Sequence, residues 1–183
     1  MPNIDSYEKA DMPKNPSDAI ESIMTYYGSV VLRTAFFYLG DKHLAEDISQ
    51  EVFIRAYRSW LNFRGECLVK TWLIKITVNL CRDKMRLKSF SEEPNHNPLI
   101  LQMQHPIVEQ DITEQLNKTI VLKNVLDLPI PYQEVLFHYY YHDLTTKKIA
   151  EVTGFSEGTI KSRLHRAKEL LRERLKKEGF GYE

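Results

Sequence analysis

The sequence has little glycine, only two cysteines, no net charge and no long apolar run. Seven glycines in 183 residues leave long periodic segments, which favour an all-helical fold. Cys67 and Cys81 are too few for a disulfide framework or a four-cysteine metal site, and indicate reduced thiols in a cytoplasmic protein. The most apolar stretch, residues 23–39, contains Arg33 and is too short and interrupted for a membrane span. Residues 1–16 lack a basic start followed by an apolar run, so we expect no secretory signal.

The formal net charge of zero conceals an uneven distribution of charge along the chain. Between residues 55 and 88, basic side chains greatly outnumber the two acidic ones, Glu66 and Asp83. Residues 41–51 and the first thirty residues lean acidic instead. This segregation indicates that different faces of the protein meet different partners.

Residues 144–177 have the pattern of a helix-turn-helix. Gly154 ends the first helix, because glycine readily adopts the left-handed conformation of a tight turn between helices. Ser156 is the expected N-cap of the second helix. Ala150 is small enough for the helices to approach closely, and Ile160 is the apolar residue that packs the second helix on the first. Such a unit lays its second helix in the major groove of DNA.

The second helix of this unit combines a basic face with an apolar one. Its polar candidates are Thr159, Lys161, Ser162, Arg163, His165 and Arg166, and its apolar positions are Ile160, Leu164, Ala167 and Leu171. A basic face along one helix is the electrostatic footprint of a DNA reader. An amphipathic helix whose Lys and Arg residues only face water has the same pattern. Phe155, in the turn, is expected to point inward.

Apolar periodicity predicts three helices in the N-terminal half. The first starts at Pro16, with Asp18 and Glu21 at capping-box spacing, and ends at Gly40. Asp41 caps the second, whose core face is Leu44, Ile48, Val52, Ala56 and Trp60. Another face of the second helix carries Asp47, Glu51, Ile54 and Arg58. An apolar residue among charges suggests a protein-binding surface, although a single exposed isoleucine is unremarkable.

The third helix, residues 69–88, turns Leu73, Ile76, Leu80 and Cys81 inward. Its outward positions are Lys75, Asn79, Arg82 and Arg86, with Trp72 near the start. Cations that follow phosphates, an aromatic ring that stacks and an amide that reads a base edge suit an unstacked nucleic-acid strand. The alternative is an ordinary charged outer face of a three-helix core.

The remaining segments are two less regular stretches and the helices that lead into the helix-turn-helix. Residues 1–15 show no period and predict a mobile tail. Residues 89–112 are acidic and contain three prolines, which predicts a linker, and the apolar run Leu99–Leu101 within it is expected to pack on something. A helix is predicted from Thr113 to the prolines at 129 and 131, and a further helix over residues 132–142.

From residue 16 onward the chain resembles the extracytoplasmic-function (ECF, group 4, sigma-70 family) sigma factors, small alternative specificity subunits of bacterial RNA polymerase. AEDISQEVFIRAY (Ala45–Tyr57) is similar to the family's polymerase-clamp motif. Phe63–Arg86 is similar to its −10 recognition helix and preceding loop, and Leu128–Leu171 to its −35 reader. The resemblance implies two small helical domains and a flexible acidic linker: a tail at 1–15, a region 2 domain at 16–88, the linker at 89–112 and a region 4 helix-turn-helix domain at 113–178.

The resemblance also implies partners and residue roles. Core RNA polymerase, through its β and β′ subunits, would be bound by Asp47, Gln50, Glu51, Ile54 and Arg58. The −10 element would meet Trp72, Lys75, Asn79, Arg82 and Arg86, beside a base pocket flanked by the loop of residues 63–70. The −35 element would meet Thr159, Lys161, Ser162, His165 and Arg166. An anti-sigma protein, often membrane-bound in this family, would be a further partner. No catalytic residue, cofactor, metal or membrane insertion is expected.

Rival classes remain at this point. A conventional helix-turn-helix transcriptional regulator would share the DNA reader but would not need the Ala45–Tyr57 motif. An enzyme would be indicated if Glu134, His138 and His142, spaced four apart, held a metal, but no further ligand or general base is evident. A purely structural helical adaptor would tolerate Arg166→Ala.

Overall fold

The computed structural model describes residues 7–89 and 120–179, and every regular element in these two ranges is helical. The chain divides between residues 99 and 100 into two compact units, the N-terminal and C-terminal domains. The all-α, two-domain prediction is confirmed. The predicted linker with its Leu99–Leu101 run and the helix start at Thr113 lie outside the described residues, apart from residue 89.

The N-terminal domain is built on three mutually packed helices: α1 (Pro16–Leu39), α2 (Lys42–Ser59) and α3 (Val69–Ser89). The predicted start of α1 at Pro16 is confirmed, but its cap is the Asn15 side chain, which accepts from the Ser17 N–H at 3.0 Å. The predicted Asp41 cap of α2 is present, because its carboxylate accepts from the Leu44 N–H at 3.0 Å.

The core of this domain is formed by the predicted apolar stripes. From α2 it takes Ile48, Val52, Ala56 and, just beyond the helix, Trp60, all of them buried, whereas Leu44 of the predicted stripe is only partly buried. The α3 contribution includes Leu73, Leu80 and Cys81, while Ile76 is only partly buried. Burial of these stripes leaves the polar faces of α2 and α3 toward solvent.

Residues 7–12 are packed on the N-terminal domain. Met12 is only 7% exposed and belongs to the core, and residues Lys9–Asp11 form a turn of 3-10 helix. Glu8 and Asp11 close a reciprocal capping box on this turn. The predicted tail at 1–15 thus contains a segment, residues 7–12, that packs on the domain, and a single buried methionine leaves no periodic signal of such packing in the sequence.

The C-terminal domain contains four helices and one π-helical turn within the described residues. They are α4 (120–126), α5 (Ile130–Leu136) with the π-helical turn Phe137–Tyr141, α6 (Thr146–Thr153) and α7 (Glu157–Lys177). The long helix α7 packs on both α5 and α6. Its buried residues Ile160, Leu164 and Ala167 confirm the predicted apolar side.

The single helix predicted over 132–142 is wrong at both ends. α5 begins two residues earlier, because Pro131 occupies its first turn, where a missing N–H costs no hydrogen bond. It then widens into the π-helical turn, where the His142 N–H donates to the Phe137 carbonyl at 3.3 Å. Asp143, with φ of 56°, ends this turn in the left-handed region that aspartate tolerates better than most residues.

Candidate nucleic-acid and polymerase interfaces

The predicted helix-turn-helix is formed by α6, the turn at Gly154 and α7. The Thr145 hydroxyl caps α6 by accepting from the Lys148 N–H at 3.3 Å. Gly154 lies at φ of 75° and donates its N–H to the Ala150 carbonyl at 2.8 Å. The Ser156 hydroxyl caps α7 by accepting from the Thr159 N–H at 3.1 Å. The Ser156 cap and the Gly154 turn predicted from the sequence are confirmed.

Two contacts fix the start of α7 that the sequence did not indicate. Phe155 is 37% exposed, so the prediction that it points inward is wrong, and the Arg163 guanidinium lies 4.1 Å from its ring centroid. The Thr146 hydroxyl donates to the Glu157 carboxylate at 3.1 Å and thereby joins α6 to α7. Hydrogen bonds from Lys161 first, and from Thr146 second, hold the pKa of Glu157 below its ordinary value.

The five candidate −35 residues occupy the outer side of α7. Lys161, Ser162, His165 and Arg166 are exposed, and Thr159 is partly buried. Lys161 pairs with Glu157 at 2.9 Å and Arg166 with Glu169 at 3.2 Å. His165 lies 3.4 Å from Glu169 as well. Exposed ion pairs of this kind are weak. These cations are therefore able to exchange a carboxylate for a DNA phosphate at little cost.

The five candidate −10 residues form a line along α3. They follow one another at steps of three and four, the spacing of one helix face. Lys75, Asn79 and Arg86 are exposed, and Arg82 and Trp72 are partly buried. Arg86 also pairs with Asp83 at 3.1 Å. The result is a cationic stripe with one amide and one indole.

The N-terminal end of this stripe is part of an aromatic cluster, in which Trp72 packs against Trp60 and Phe63. The Phe63 and Trp72 rings stack with centroids 4.4 Å apart and an interplanar angle of 15°. The Trp60 ring lies 6.0 Å from that of Trp72. One face of the Trp72 indole is thus covered by Phe63, so Trp72 joins the stripe to the loop that precedes α3. Sequence periodicity placed Trp72 near the stripe but did not reveal this stacking.

The candidate polymerase-binding residues share the outer side of α2. Asp47, Gln50, Ile54 and Arg58 are exposed, whereas Glu51 is partly buried and pairs with Arg55 at 2.8 Å. Ile54 is 44% exposed, which agrees with the predicted apolar residue among charges. Two apolar neighbours that were not predicted from the sequence extend this surface, Tyr57 at 49% exposure and, just after α2, Leu61 at 71%. The face is therefore a mixed apolar and charged surface.

The enzyme alternative concerned Glu134, His138 and His142, which lie in α5, in the π-helical turn and directly after that turn. His138 and His142 are buried side by side with ring centroids 5.3 Å apart, among the aromatic rings of the π-helical turn. Within the described ranges 7–89 and 120–179, no group of three or more His, Cys, Asp or Glu side chains is placed to hold a metal ion. No helix in the same part of the chain is long and apolar enough to cross a membrane.

Comparison with known protein families identifies both domains. Residues 23–90 match the model of Sigma-70 region 2, and residues 121–171 match that of Sigma-70, region 4. Two such regions in one chain define a sigma factor of the sigma-70 class, which is not a class of catalytic enzymes.

Two relatives from Bacillus subtilis narrow the class. The chain is 32% identical to ECF RNA polymerase sigma factor SigW over 173 residues, covering 89% of this chain and 92% of SigW. It is 31% identical to ECF RNA polymerase sigma factor SigM over 153 residues, covering 84% of this chain and 93% of SigM. The chain belongs to the ECF sigma factors, alternative sigma factors that direct transcription initiation.

Two solved structures share the fold. One is sigma factor RpoE in complex with the anti-sigma factor NepR from Bartonella quintana, with a TM-score of 0.66 and 21% identity over 85% of this chain and 96% of that one. The other is CnrH in complex with the cytosolic domain of CnrY, with a TM-score of 0.58 and 18% identity over 87% and 89% of the two chains.

Proposed function

We propose that this protein binds core RNA polymerase and directs it to promoters through a −10 and a −35 element, while helping to open the duplex. The main support for this proposal is that three separate exposed faces, on α2, α3 and α7, lie on helices of the two matched sigma-70 regions. Each face has the chemistry that one of the three contacts requires. The protein itself catalyses no reaction and works in the cytoplasm.

The α2 face binds the polymerase. Asp47, Gln50, Glu51, Ile54 and Arg58 supply a central apolar residue with charges of both signs around it. Tyr57 and Leu61 enlarge the apolar area, and an aromatic residue and an arginine are typical of the energetically important part of a protein interface. The partner surface belongs to the β′ subunit, and further contacts reach the β subunit.

The α3 stripe captures the opened −10 element. Lys75, Arg82 and Arg86 follow the phosphates of the non-template strand, and the exposed Asn79 amide reads a base edge. Flipping a base out of the duplex costs a few kcal/mol, so a site that holds the base also holds the duplex open. Trp72, with the loop of residues 63–70, forms the side of that site.

The α7 face reads the −35 element in duplex form. Lys161, Ser162, His165 and Arg166 face the major groove, and Thr159 meets a phosphate near the helix start. The neutral net charge of the chain predicts weak, salt-sensitive binding by the free protein. Strong sequence selection then requires polymerase, which holds both readers on one promoter.

We assign the two DNA contacts to separate domains, residues 16–88 and 113–178, joined by the linker at 89–112. Tethering makes the second contact intramolecular and raises its effective concentration. An anti-sigma protein is the remaining proposed partner, and the RpoE neighbour is solved with its anti-sigma factor NepR. Such a protein would silence this chain by covering the α2 face.

Two charge variants with matched controls test the proposal. Asp47→Arg should abolish association with bacterial core polymerase, while the same reversal at the exposed Glu21 of α1 should not. Arg166→Ala should keep polymerase association and lose selection of a −35 sequence from a randomised promoter library. Arg172→Ala, on the same helix, is its control. Sequence-specific DNA binding without any polymerase association would instead indicate a conventional regulator.

A further inference from the structure

The N-terminal segment, residues 7–12, contacts the end of α2 through Lys9. The Lys9 ammonium donates hydrogen bonds to the main-chain carbonyls of Phe63 and, at 3.5 Å, of Leu61. These carbonyls lie just after α2, where the chain no longer provides helical N–H partners. A cation at this place also suits the negative end of the helix. Lys9 thus binds two carbonyls of the chain that leaves α2, from more than fifty residues away in the sequence.

The same segment contacts the start of α3. The N–H of Val69, the first residue of α3, donates to the main-chain carbonyl of Tyr7 at 3.0 Å. This N–H is one of the first-turn donors that have no partner within a helix. Residues 7–12 therefore bind both ends of the loop that joins α2 to α3, one end through a side chain and the other through the backbone.

Packing fixes the segment against the aromatic cluster. The Lys9 ammonium lies 5.7 Å from the Trp60 ring centroid and 6.0 Å from that of Phe63, within the range of cation–π attraction. The Lys9 side chain also passes close to the backbone at Gly65, where an added Cβ would meet its Cβ at 3.4 Å. Met12 anchors the other end of the segment in the core.

We propose that residues 7–12 position the loop of residues 63–69, and that Lys9 is a positioning residue for capture of the −10 element. This inference rests on the proposed role of α3. The connection runs through Phe63, whose carbonyl binds Lys9 and whose ring stacks on Trp72, the first residue of the α3 stripe. A loop held at both ends presents a formed pocket wall to an unstacked base. A released loop must be ordered when the base arrives, which weakens capture.

The test compares Lys9→Met with Lys14→Met. Methionine keeps an unbranched apolar stem and removes the ammonium, and Lys14 is an exposed lysine two residues beyond the segment. Both tryptophans of the chain belong to the aromatic cluster, so their fluorescence reports the Lys9 contact directly. Promoter opening is measured with saturating core polymerase on a promoter selected by the wild-type protein, by permanganate reactivity of unpaired thymines.

Lys9→Met should change the tryptophan emission and lower promoter opening roughly tenfold, as expected for the loss of a hydrogen bond to a charged group. Polymerase association and binding to −35 duplex should stay at wild-type levels. Lys9→Arg should restore opening, and Lys14→Met should behave as wild type. Deletion of residues 1–8 removes the Tyr7 carbonyl while keeping Lys9. This deletion should also lower promoter opening, because it releases the other end of the loop.

Altered fluorescence in Lys9→Met with wild-type opening would overturn the inference, since the contact would then be purely structural. Equal losses in Lys9→Met and Lys14→Met would overturn it as well, because the effect would be one of general charge. Failure of the proposed function is distinguishable from both. If the proposed function is wrong, the wild-type protein opens no promoter. Asn79→Ala, which removes the amide of the α3 stripe, then has no promoter opening to reduce.

Discussion

Two glycines four residues apart in the helix-turn-helix should respond oppositely to the same added methyl group. Gly154 ends α6 at φ of 75°, and a Cβ there would meet nothing within 4 Å. Gly158 lies in the first turn of α7 without a positive φ, and its Cβ would meet the Ser156 hydroxyl oxygen at an ordinary 3.8 Å. Neither substitution creates a clash, so backbone conformation alone decides the outcome.

The magnitudes follow from that conformation. The left-handed region costs an L-residue about 1–2 kcal/mol, and the lower entropy of the unfolded chain returns about 0.4–1 kcal/mol. Gly154→Ala should therefore lower the free energy of unfolding by about 1 kcal/mol. Gly158→Ala should raise it by roughly 0.5–1 kcal/mol, the difference in helix propensity. A gap of about 1.5–2 kcal/mol corresponds to melting temperatures separated by roughly 10 °C in a domain of this size.

The assay is thermal unfolding of the full chain by circular dichroism, with tryptophan fluorescence as an internal control. Both tryptophans lie in the N-terminal domain, so their transition should not move in either variant. The circular dichroism transition that does not coincide with the tryptophan transition is assigned to the C-terminal domain. Equal melting temperatures for the two variants, or a more stable Gly154→Ala, would refute the assignment of Gly154 as the conformationally required residue of the turn.

Three further predictions concern thiols, pH and DNA. Burial raises the pKa of the Cys81 thiol to about 12, so Ellman's reagent at pH 8 should modify the partly exposed Cys67 and reach Cys81 only after unfolding. The unfolded chain loses this proton near pH 9 and the folded chain does not. The free energy of unfolding should therefore fall by about 1.4 kcal/mol per pH unit above 9, and Cys81→Ala should flatten that slope in urea titrations. Arg166→Ala should weaken binding of holoenzyme to −35 duplex by about 1–3 kcal/mol in fluorescence anisotropy, and Arg172→Ala by less than about 0.5 kcal/mol. Rapid labelling of Cys81 in the folded chain, unchanged alkaline slopes or equal DNA effects would contradict the respective prediction.

The helices that could be predicted are those with a long apolar period and a local cap. Asp41 caps α2, and buried residues recur at steps of four from Ile48 in the helix to Trp60 just after it, so periodicity and capping agree. α6 and α7 have their caps at Thr145 and Ser156 and their turn at Gly154 for the same local reasons. Signals of this kind act over one or two helical turns and are therefore visible in the sequence.

The features that could not be predicted depend on contacts between different elements of the fold. Lys9 binds carbonyls more than fifty positions away, and no periodic pattern records such a contact. Phe155 is exposed and contacts Arg163 of α7, although an apolar residue in the turn suggested burial. The stacking of Trp72 on Phe63 likewise requires α2 and α3 to be in place first.

In the candidate interfaces, too, the helical positions of the residues could be predicted, whereas the contacts between their side chains could not. Helical spacing brings Asn79, Arg82 and Arg86 to one side of α3, as the sequence indicated. The ion pairs of Lys161 with Glu157 and of Arg166 with Glu169 were not predicted from the sequence, because exposed ion pairs depend on side-chain conformation.

Run-off transcription tests the central claim most directly. Bacterial core polymerase is supplied with a randomised promoter library, with and without this protein. Discrete new start sites should appear only with the protein, share a −35 and a −10 sequence, and vanish with Asp47→Arg or Arg166→Ala while Glu21→Arg and Arg172→Ala retain them. A transcript pattern identical with and without the protein, from polymerase active with another sigma factor, would contradict the account.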